Sequence, residues 1–178
     1  MTINLPEARR WPGSEWIKNH PAALERIYAV SVKAFTRVYP AMKKIAPQSS
    51  ERVMVFVEAV GKGYVWNCQM CGQCILHSTG MTCPMNCPKN LRNGPCGGVR
   101  ANGHCEVIPE RMCVWVQAWE RSQAMAVYGH KIVTLQPPVN RALKNTSSWI
   151  NMVEGTDQIT PPGWAAASPT GNEGLEHR

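Results

Sequence analysis

The sequence predicts a mainly α-helical protein with irregular, cysteine-rich metal-binding loops and few or no strands. Two observations support this fold class. Before and after the middle of the chain, apolar residues recur at steps of three and four, which is the period of an amphipathic helix. Between these parts, residues 66–108 are rich in Gly, Pro, Asn and Cys and show little apolar period. We therefore expect the central loops to wrap around something other than a hydrophobic core.

Composition divides the chain into five segments. We predict an N-terminal arm at 1–20, a helical lead-in at 21–62, a cysteine-rich metal-binding domain at 63–128, a C-terminal docking segment at 129–160 and a mobile tail at 161–178. The arm is rich in tryptophan, proline and charge without a clear period, so we expect it to be extended. The tail has the composition of a segment that is mobile or spread over a partner.

The helical lead-in predicts two helices. The first covers about 21–38, with a short continuation at 41–46 after Pro40. Ser50 is a suitable N-cap for the second helix, which we expect to run to about Val60 and to end at two nearby glycines. A strand is the competing prediction for the run VMVFV inside this second helix, because the run is rich in β-branched residues.

Two further helices follow the cysteines. Pro109 precedes a predicted helix at about 110–126, and residues 129–145 are expected to be mostly loop. The stretch NTSSWINMVEG then predicts a short helix with a Thr or Ser cap and Gly155 as its stop. The tryptophans on these helices are expected in the core, although seven tryptophans and nine methionines also favour a protein–protein interface.

Several classes of protein are disfavoured by composition. The N-terminus has no apolar run after a basic start, and no stretch approaches the length of a membrane span, so we expect a cytoplasmic protein without a membrane role. The net charge of +7 comes from dispersed basic residues, and two thiolate-ligated clusters would reduce it to about +3. Nucleic-acid binding is therefore not expected. No phosphate-binding loop, nucleophile elbow or His-Glu-x-x-His motif is present, so we predict no catalytic residue.

The eight cysteines are the main functional signal. Because thiols stay reduced in the cytoplasm, clustered cysteines favour metal ligands over disulfides. Cys68, Cys71 and Cys74 form a C-x2-C-x2-C run, which supplies three corners of a cubane and leaves the fourth to a remote ligand. Five more thiols can complete this centre or form another: Cys83, Cys87, Cys96, Cys105 and Cys113.

The identity of the metal stays open between two alternatives. A C-x2-C pair followed by a later pair is a zinc-ribbon signature. A third cysteine at the same spacing is less typical of zinc and favours iron–sulfur, with one or two 4Fe–4S clusters. Glycines near the cysteines would let backbone N–H groups approach thiolate and sulfide. The basic residues Lys89, Arg92 and Arg100 are candidates to neutralise a cluster or to meet an anionic partner, and His77 and His104 are weaker candidate ligands.

Three stretches together resemble a known family. These are CGQC with CPMNCPKNLRNGPCGG, then Gly-x-Cys-Glu-Val at 103–107, and CVWVQAWER at 113–121. They are similar to the cysteine-rich C-terminal domain of some bacterial methylenetetrahydrofolate reductases, which also occurs as a free small subunit beside a flavin-containing barrel subunit. The resemblance covers about 64–158 and includes TSSWINMVEGTD, while the first 60 residues match more loosely. Gln158 departs from the pattern, which has a histidine after the aspartate.

The resemblance implies a partner and a role. The partner would reduce 5,10-methylenetetrahydrofolate to 5-methyltetrahydrofolate on FMN or FAD in a TIM barrel. This chain cannot be that barrel, which needs about 250 residues. It would carry a metal centre against the flavin subunit, either as an iron–sulfur electron-transfer subunit or as a structural zinc-binding assembly subunit. A nucleic-acid-binding zinc module is the less favoured alternative.

Overall fold

A computed structural model describes residues 13–159 of the chain, with side chains from Trp16 onward. It contains the helices α1 (Gly13–Lys18), α2 (Pro21–Ile45), α3 (Pro47–Trp66), α4 (Val114–Ser122) and α5 (Ser148–Glu154). Short 3₁₀ turns lie at Leu76–Ser78, Pro84–Asn86, Gly129–Val133, Arg141–Leu143 and Thr156–Gln158. In this part of the chain, β pairing is limited to one isolated bridge between His104 and Met112. The predicted fold class is therefore confirmed.

The lead-in forms two long helices, each longer than predicted. α2 continues through Pro40, so the predicted break there is wrong. Proline removes one hydrogen bond from a helix interior, but Pro40 is exposed, and Phe35 and Tyr39 before it are buried against Ile150 of α5. Packing on the buried face thus holds the helix together where propensity alone would end it.

The start and end of α3 also differ from the prediction. It starts at Pro47, and the hydroxyl of Ser50 bonds back to the Pro47 carbonyl at 2.9 Å instead of capping the helix. It runs past both glycines to Trp66, whose indole N–H donates to the Met81 carbonyl at 2.8 Å, and ends at Asn67 in the left-handed conformation. VMVFV is helical, so the strand alternative is wrong.

The helix after the cysteines is shorter than predicted, because α4 occupies Val114–Ser122 only. On its N-terminal side, the amide of Cys113 donates to the Gly103 carbonyl at 2.9 Å, which keeps the chain in a tight turn up to the first helical residue. Beyond its C-terminal end, the amides of residues 126–128 donate to the buried carboxylate of Glu25 in α2. In a longer helix these amides would donate to carbonyls of the helix itself, whereas here they donate to the Glu25 carboxylate.

The ends of the chain need one correction. The arm is expected to be extended, but Gly13–Lys18 forms α1, and just after it the Nδ1 of His20 donates to the Trp16 carbonyl at 2.8 Å. Residues 1–12 of the arm and the predicted tail at 161–178 lie outside the described residues. None of the described helices has both the length and the apolar character to cross a membrane.

Within the described residues, buried side chains form three clusters, and three of the eight cysteines lie in or against two of them. Phe35 and Tyr39 pack on α5 in the first. Leu76, Met81 and Met125 form the second, against which Cys74 and Cys83 are packed. The third contains Cys113, Trp115 and Ala118. The cysteine loops therefore fold as part of the protein interior rather than as a surface appendage.

The two long helices each expose a row of apolar side chains. On α2, six exposed residues follow at steps of three and four and form what we call the α2 ridge: Ile27, Val30, Ala34, Val38, Ala41 and Ile45. On α3, five exposed residues form the α3 face: Val53, Phe56, Val57, Val60 and Tyr64. Exposed apolar surface at helical spacing marks a site where another surface packs.

Candidate metal centre

The structure separates the eight cysteines into two sets of four. Cys68, Cys71, Cys74 and Cys83 line one enclosed cavity, which we call the first cavity, with a volume of about 20 Å³. A second cavity of about 10 Å³ is lined by Cys87, Cys96, Cys105 and Cys113. All eight thiols are free. Within residues 13–159, no three Cys, His, Asp or Glu side chains are grouped so that they could hold a metal ion. The chain thus brings the thiols to shared cavities but not to the spacing of ligands around one ion.

The loop that carries the first three cysteines is shaped by left-handed residues. Asn67, Met70 and Gly72 have φ values of 51°, 46° and 74°, so the backbone reverses repeatedly between Cys68 and Cys74. A Cβ on Gly72 would lie 2.1 Å from the Leu143 carbonyl oxygen. Only glycine allows this close approach.

The C-terminal segment holds the same loop from outside. The amide of Asn145 donates to the Met70 carbonyl, and the Asn151 side chain donates to the Gly72 carbonyl, both at 2.8 Å. Gln73, which is only 1% exposed, accepts from the Asn140 amide at 2.6 Å and donates to the Asp157 carbonyl at 2.7 Å. The predicted docking segment therefore packs on the cysteine loop of its own chain.

Burial makes the thiols of Cys68, Cys71 and Cys83 hard to ionise on their own. Burial, followed by the charge of Cys74, raises the pKa of the Cys68 thiol to about 12. Burial likewise raises the pKa of Cys71 and of Cys83 above the ordinary range. Because a metal binds the thiolate form, a ligand set here needs compensating positive charge.

Two buried cations supply that charge. Arg92 lines the first cavity, and its Nε and Nη2 donate to the carbonyls of Pro137 and Gln73 at 2.9 and 3.1 Å. Burial lowers the pKa of Arg92, and the neighbouring Cys71 and Cys74 partly offset this effect. For Lys62, burial also lowers the pKa, but Cys74 and Glu58 outweigh it and the net pKa is raised.

One atom of this arrangement has no partner within the described chain. Arg92 Nη1 is buried and makes no hydrogen bond. A buried donor left unpaired is costly, and the neighbouring Cys71 sulfur, which interacts with the Arg92 side chain, can accept from it when ionised. Thiolates and sulfides are such acceptors, so the charge and the donor chemistry of the first cavity suit a negatively charged metal–thiolate centre, while the thiols themselves do not stand at ligand spacing.

The second cavity is built on a tight turn. The amide of Cys105 donates to the Arg111 carbonyl at 2.8 Å, and this turn places Cys105 and Cys113 close to the first residues of α4. Lys89 forms an ion pair with Glu106, whose carboxylate also accepts from the Cys96 thiol at 3.7 Å. A cation therefore lies beside the four cysteines of the second cavity as well, but this cation, Lys89, is exposed, unlike Arg92 at the first cavity.

The remaining candidates lie elsewhere. Arg100 is exposed and is not among the residues that line either cavity. His77 stacks on Tyr28 with ring centroids 5.4 Å apart, and burial lowers its pKa to about 4. His104 pairs through Nδ1 with the Pro109 carbonyl at 2.7 Å. Neither histidine lines the cavities. Each cavity is lined by four thiols and one carboxylate, Glu58 at the first and Glu106 at the second.

Some residues of the site were not indicated by the sequence. Lys62 lies between two glycines and has no motif around it, and Glu58, Gln73 and Asn151 look like ordinary polar residues of a helix or a loop. They matter because they contact residues 79 to 91 positions away. No local pattern reports such a contact.

A larger cleft lies beside both cavities. It has a volume of about 390 Å³ and is bounded by α4 and by residues 132–136. Arg92 lines it as well as the first cavity, and Trp115 lines it as well as the second. Each cavity therefore shares one lining side chain with this cleft.

Comparison with known protein families gives a match over the cysteine region. The family model described as "Methylene-tetrahydrofolate reductase C terminal" matches residues 47–142, more than half of the 178-residue chain. The match includes α3, α4 and all eight cysteines, and excludes α1, α2 and α5. No curated protein and no solved structure matches the chain.

Proposed function

Because the chain belongs to the family of methylene-tetrahydrofolate reductase C-terminal domains, we propose that it is the iron–sulfur, electron-transfer subunit of a flavin-dependent methylenetetrahydrofolate reductase. The observation that carries the proposal is the division of eight cysteines into two sets of four, each around its own cavity. Four thiolates are the complete ligand set of a 4Fe–4S cluster.

The reaction needs electrons that this subunit would deliver. Reduction of 5,10-methylenetetrahydrofolate to 5-methyltetrahydrofolate adds two electrons and two protons to the folate. In the proposal the folate and the FMN or FAD are bound by a partner barrel, because the described residues of this chain form helices and cysteine loops rather than a barrel of parallel strands. An iron–sulfur cluster, when bound, takes up and releases one electron at a time.

The residues of this chain bind and shield such a centre. The thiolates of Cys68, Cys71, Cys74 and Cys83 would hold it in the first cavity, and Cys87, Cys96, Cys105 and Cys113 would hold another. Arg92 and Lys62 offset negative charge at the first cavity, and the free Nη1 of Arg92 can donate to sulfur. The C-terminal segment packs on the loop of Cys68, Cys71 and Cys74, which we call the triad loop, and donates hydrogen bonds to its carbonyls.

The second candidate function is structural, with zinc bound by the same thiolates. A zinc ion held by four cysteine thiolates is structural and redox-inactive, so the chain would then hold the reductase assembly together. The C-x2-C-x2-C run favours iron–sulfur because three cysteines at this spacing are less typical of zinc.

The α3 face supports a stable partner. Its five apolar side chains lie within the matched residues 47–142 and are exposed in the isolated chain. The charged residues Glu58 and Lys62 on the same helix pair with each other and are mostly buried, so the face carries no charge along these turns. An uncharged apolar face of this kind is typical of permanent interfaces.

The test is metal and sulfide analysis of anaerobically purified protein. We expect brown protein with iron and acid-labile sulfide in equal amounts, bleached by dithionite. In complex with the flavoprotein subunit, Cys71→Ser should lose turnover with the physiological donor but keep turnover with a dye that reduces the flavin directly. Colourless protein with stoichiometric zinc would contradict electron transfer and support the assembly role. Salt-sensitive retention on duplex DNA would instead support the nucleic-acid alternative.

A further inference from the structure

The α2 ridge is exposed along most of α2. Ile27, Val30, Val38 and Ile45 have between 52% and 83% of their surface accessible, although the opposite side of the same helix is packed through Phe35 and Tyr39. The ridge precedes the matched residues 47–142, so it adds a surface to the family domain. Nothing in the described part of the chain covers it.

A row of basic residues follows one side of the ridge. Arg26, Lys33, Arg37 and Lys44 each precede a ridge residue by one position, which places them together about 100° around the helix from the ridge. All four are exposed, and none forms an ion pair with the described residues. The acidic residue of α2 is Glu25, which is 2% exposed. Its carboxylate accepts hydrogen bonds from the backbone amides of residues 126–128.

We infer that the α2 ridge and its basic row form a docking surface for the flavoprotein subunit, which meets it with an apolar groove bordered by carboxylates. The inference rests on the proposed function for the identity of the partner. Its own support is charge complementarity: a surface whose exposed charges are all positive selects a negative counterpart. An apolar helical ridge with anchors at steps of three and four fits a groove of another protein.

Two other occupants fit less well. A second copy of this chain offers no exposed carboxylate along α2, so ridge-to-ridge pairing would bring two basic rows together. Helices that lie on membranes carry large aromatic and leucine side chains on a broad apolar face. The ridge contains only isoleucine, valine and alanine and is bordered directly by charge.

The experiment measures binding of the full chain to the purified flavoprotein subunit by biolayer interferometry at low and at high NaCl concentration. For the double variant Lys33→Glu/Arg37→Glu we expect Kd at low salt to rise at least about tenfold, mainly through slower association. Its Kd should also depend less on salt than that of the wild type. The matched control is Arg141→Glu/Lys144→Glu, which has the same charge change at two exposed residues away from α2 and should bind like the wild type.

A second pair of variants tests the apolar part. Val30→Ser/Val38→Ser should dissociate at least about fivefold faster, whereas Val107→Ser, an exposed valine of the cysteine region, should not. Circular dichroism checks that each variant keeps its helices.

The outcomes separate the inference from the proposed function. A complex that forms but is unaffected by both α2 variants overturns the inference and leaves the proposed function standing. Failure of the wild type to bind the flavoprotein overturns both. Sedimentation of the wild type with phosphatidylserine-containing vesicles, abolished by Lys33→Glu/Arg37→Glu, overturns the inference in favour of an anionic membrane surface.

Discussion

At the scale of single residues, the first cavity depends on buried polar side chains that each perform two tasks. The Arg92 guanidinium brings positive charge to Cys71 and Cys74 and also ties the Pro137 and Gln73 carbonyls together. Gln73 joins the cysteine loop to two separate points of the C-terminal segment. A change at such a residue therefore alters the binding chemistry and the stability at the same time.

Replacing Arg92 tests this double role. Arg92→Met leaves two buried carbonyls without their donor and removes the cation beside the thiols, so we expect unfolding free energy to fall by about 2–4 kcal/mol. Metal content after anaerobic purification should fall as well. Urea unfolding and metal analysis measure the two effects. Arg100→Met, at an exposed residue outside the cavities, serves as the control and should change stability by less than about 0.5 kcal/mol. An Arg92 variant as stable and as metal-rich as the wild type would contradict the assignment.

At the scale of elements, α5 illustrates how a short helix is fixed by a distant residue. It has seven residues, too few for stability on its own. Ser147 caps it locally by accepting from the Ile150 amide at 3.3 Å. The Glu58 carboxylate of α3 accepts from the Trp149 amide at 3.1 Å and from both serine hydroxyls at the helix start. Because Glu58 also pairs with Lys62, one side chain joins α3, α5 and a buried cation.

Glu58 gives a prediction with a defined pH dependence. Burial raises the pKa of Glu58, but Lys62 and the hydroxyl donors outweigh it, and the net pKa lies below the ordinary 4.5. A carboxylate with a depressed folded-state pKa adds stability that is present above the unfolded-state pKa and is lost as pH falls through the folded-state pKa. We expect Glu58→Gln to cost about 3–5 kcal/mol at neutral pH, because Lys62 is left buried and unpaired.

The measurement is urea unfolding of wild type and variant at neutral pH and at pH values below the ordinary carboxyl pKa of 4.5. The difference between them should shrink as the pH falls, since protonation removes the same charge from the wild type. Glu51→Gln, at an exposed position of the same helix, is the matched control and should follow the wild type at every pH. A constant difference across this range would show that the ionised form of Glu58 is not what stabilises α5.

The elements also show where sequence patterns suffice. Apolar periodicity located α2 and an apolar run located α3. A Thr or Ser cap and the Gly155 stop located α5, and Ser147 is the cap in the structure. Helix ends were predicted less well, because tertiary packing carries α2 through Pro40 and α3 past two glycines. The contact from Glu58 to α5 was not predictable, since its partners lie 89 to 91 residues away.

At the scale of the whole molecule, the grouping of the cysteines is the feature that the sequence left open. Cys83 and Cys87 look alike, because each is followed by proline. The 3₁₀ turn Pro84–Asn86 between them reverses the chain, so Cys83 joins the triad and Cys87 joins the other set. The C-x2-C-x2-C run predicts that Cys68, Cys71 and Cys74 lie together, and all three line the first cavity. The grouping of the other five cysteines depends on how the whole loop region packs.

This division predicts two independent centres. Cys71→Ser should lose about half of the bound metal, Cys105→Ser should lose the other half, and the double variant should bind almost none. Metal and sulfide content per folded chain, determined under anaerobic conditions, measures this directly, and each single variant serves as the control for the other. Loss of all metal in one folded single variant would show that the two sets bind as one unit.

The bonds of Gln73 also bear on the order of events during synthesis. The triad loop is held closed by contacts that include the Asp157 carbonyl, 84 residues after Gln73. A ribosome that adds about 5–20 residues per second reaches Asp157 about 4–17 s after it has added Gln73. During this interval the three cysteines have been translated, but the part of the C-terminal segment that packs on their loop has not. The nascent chain therefore offers a period in which a metal or a preformed cluster can be delivered to an open loop, and completion of the C-terminal segment then closes over it.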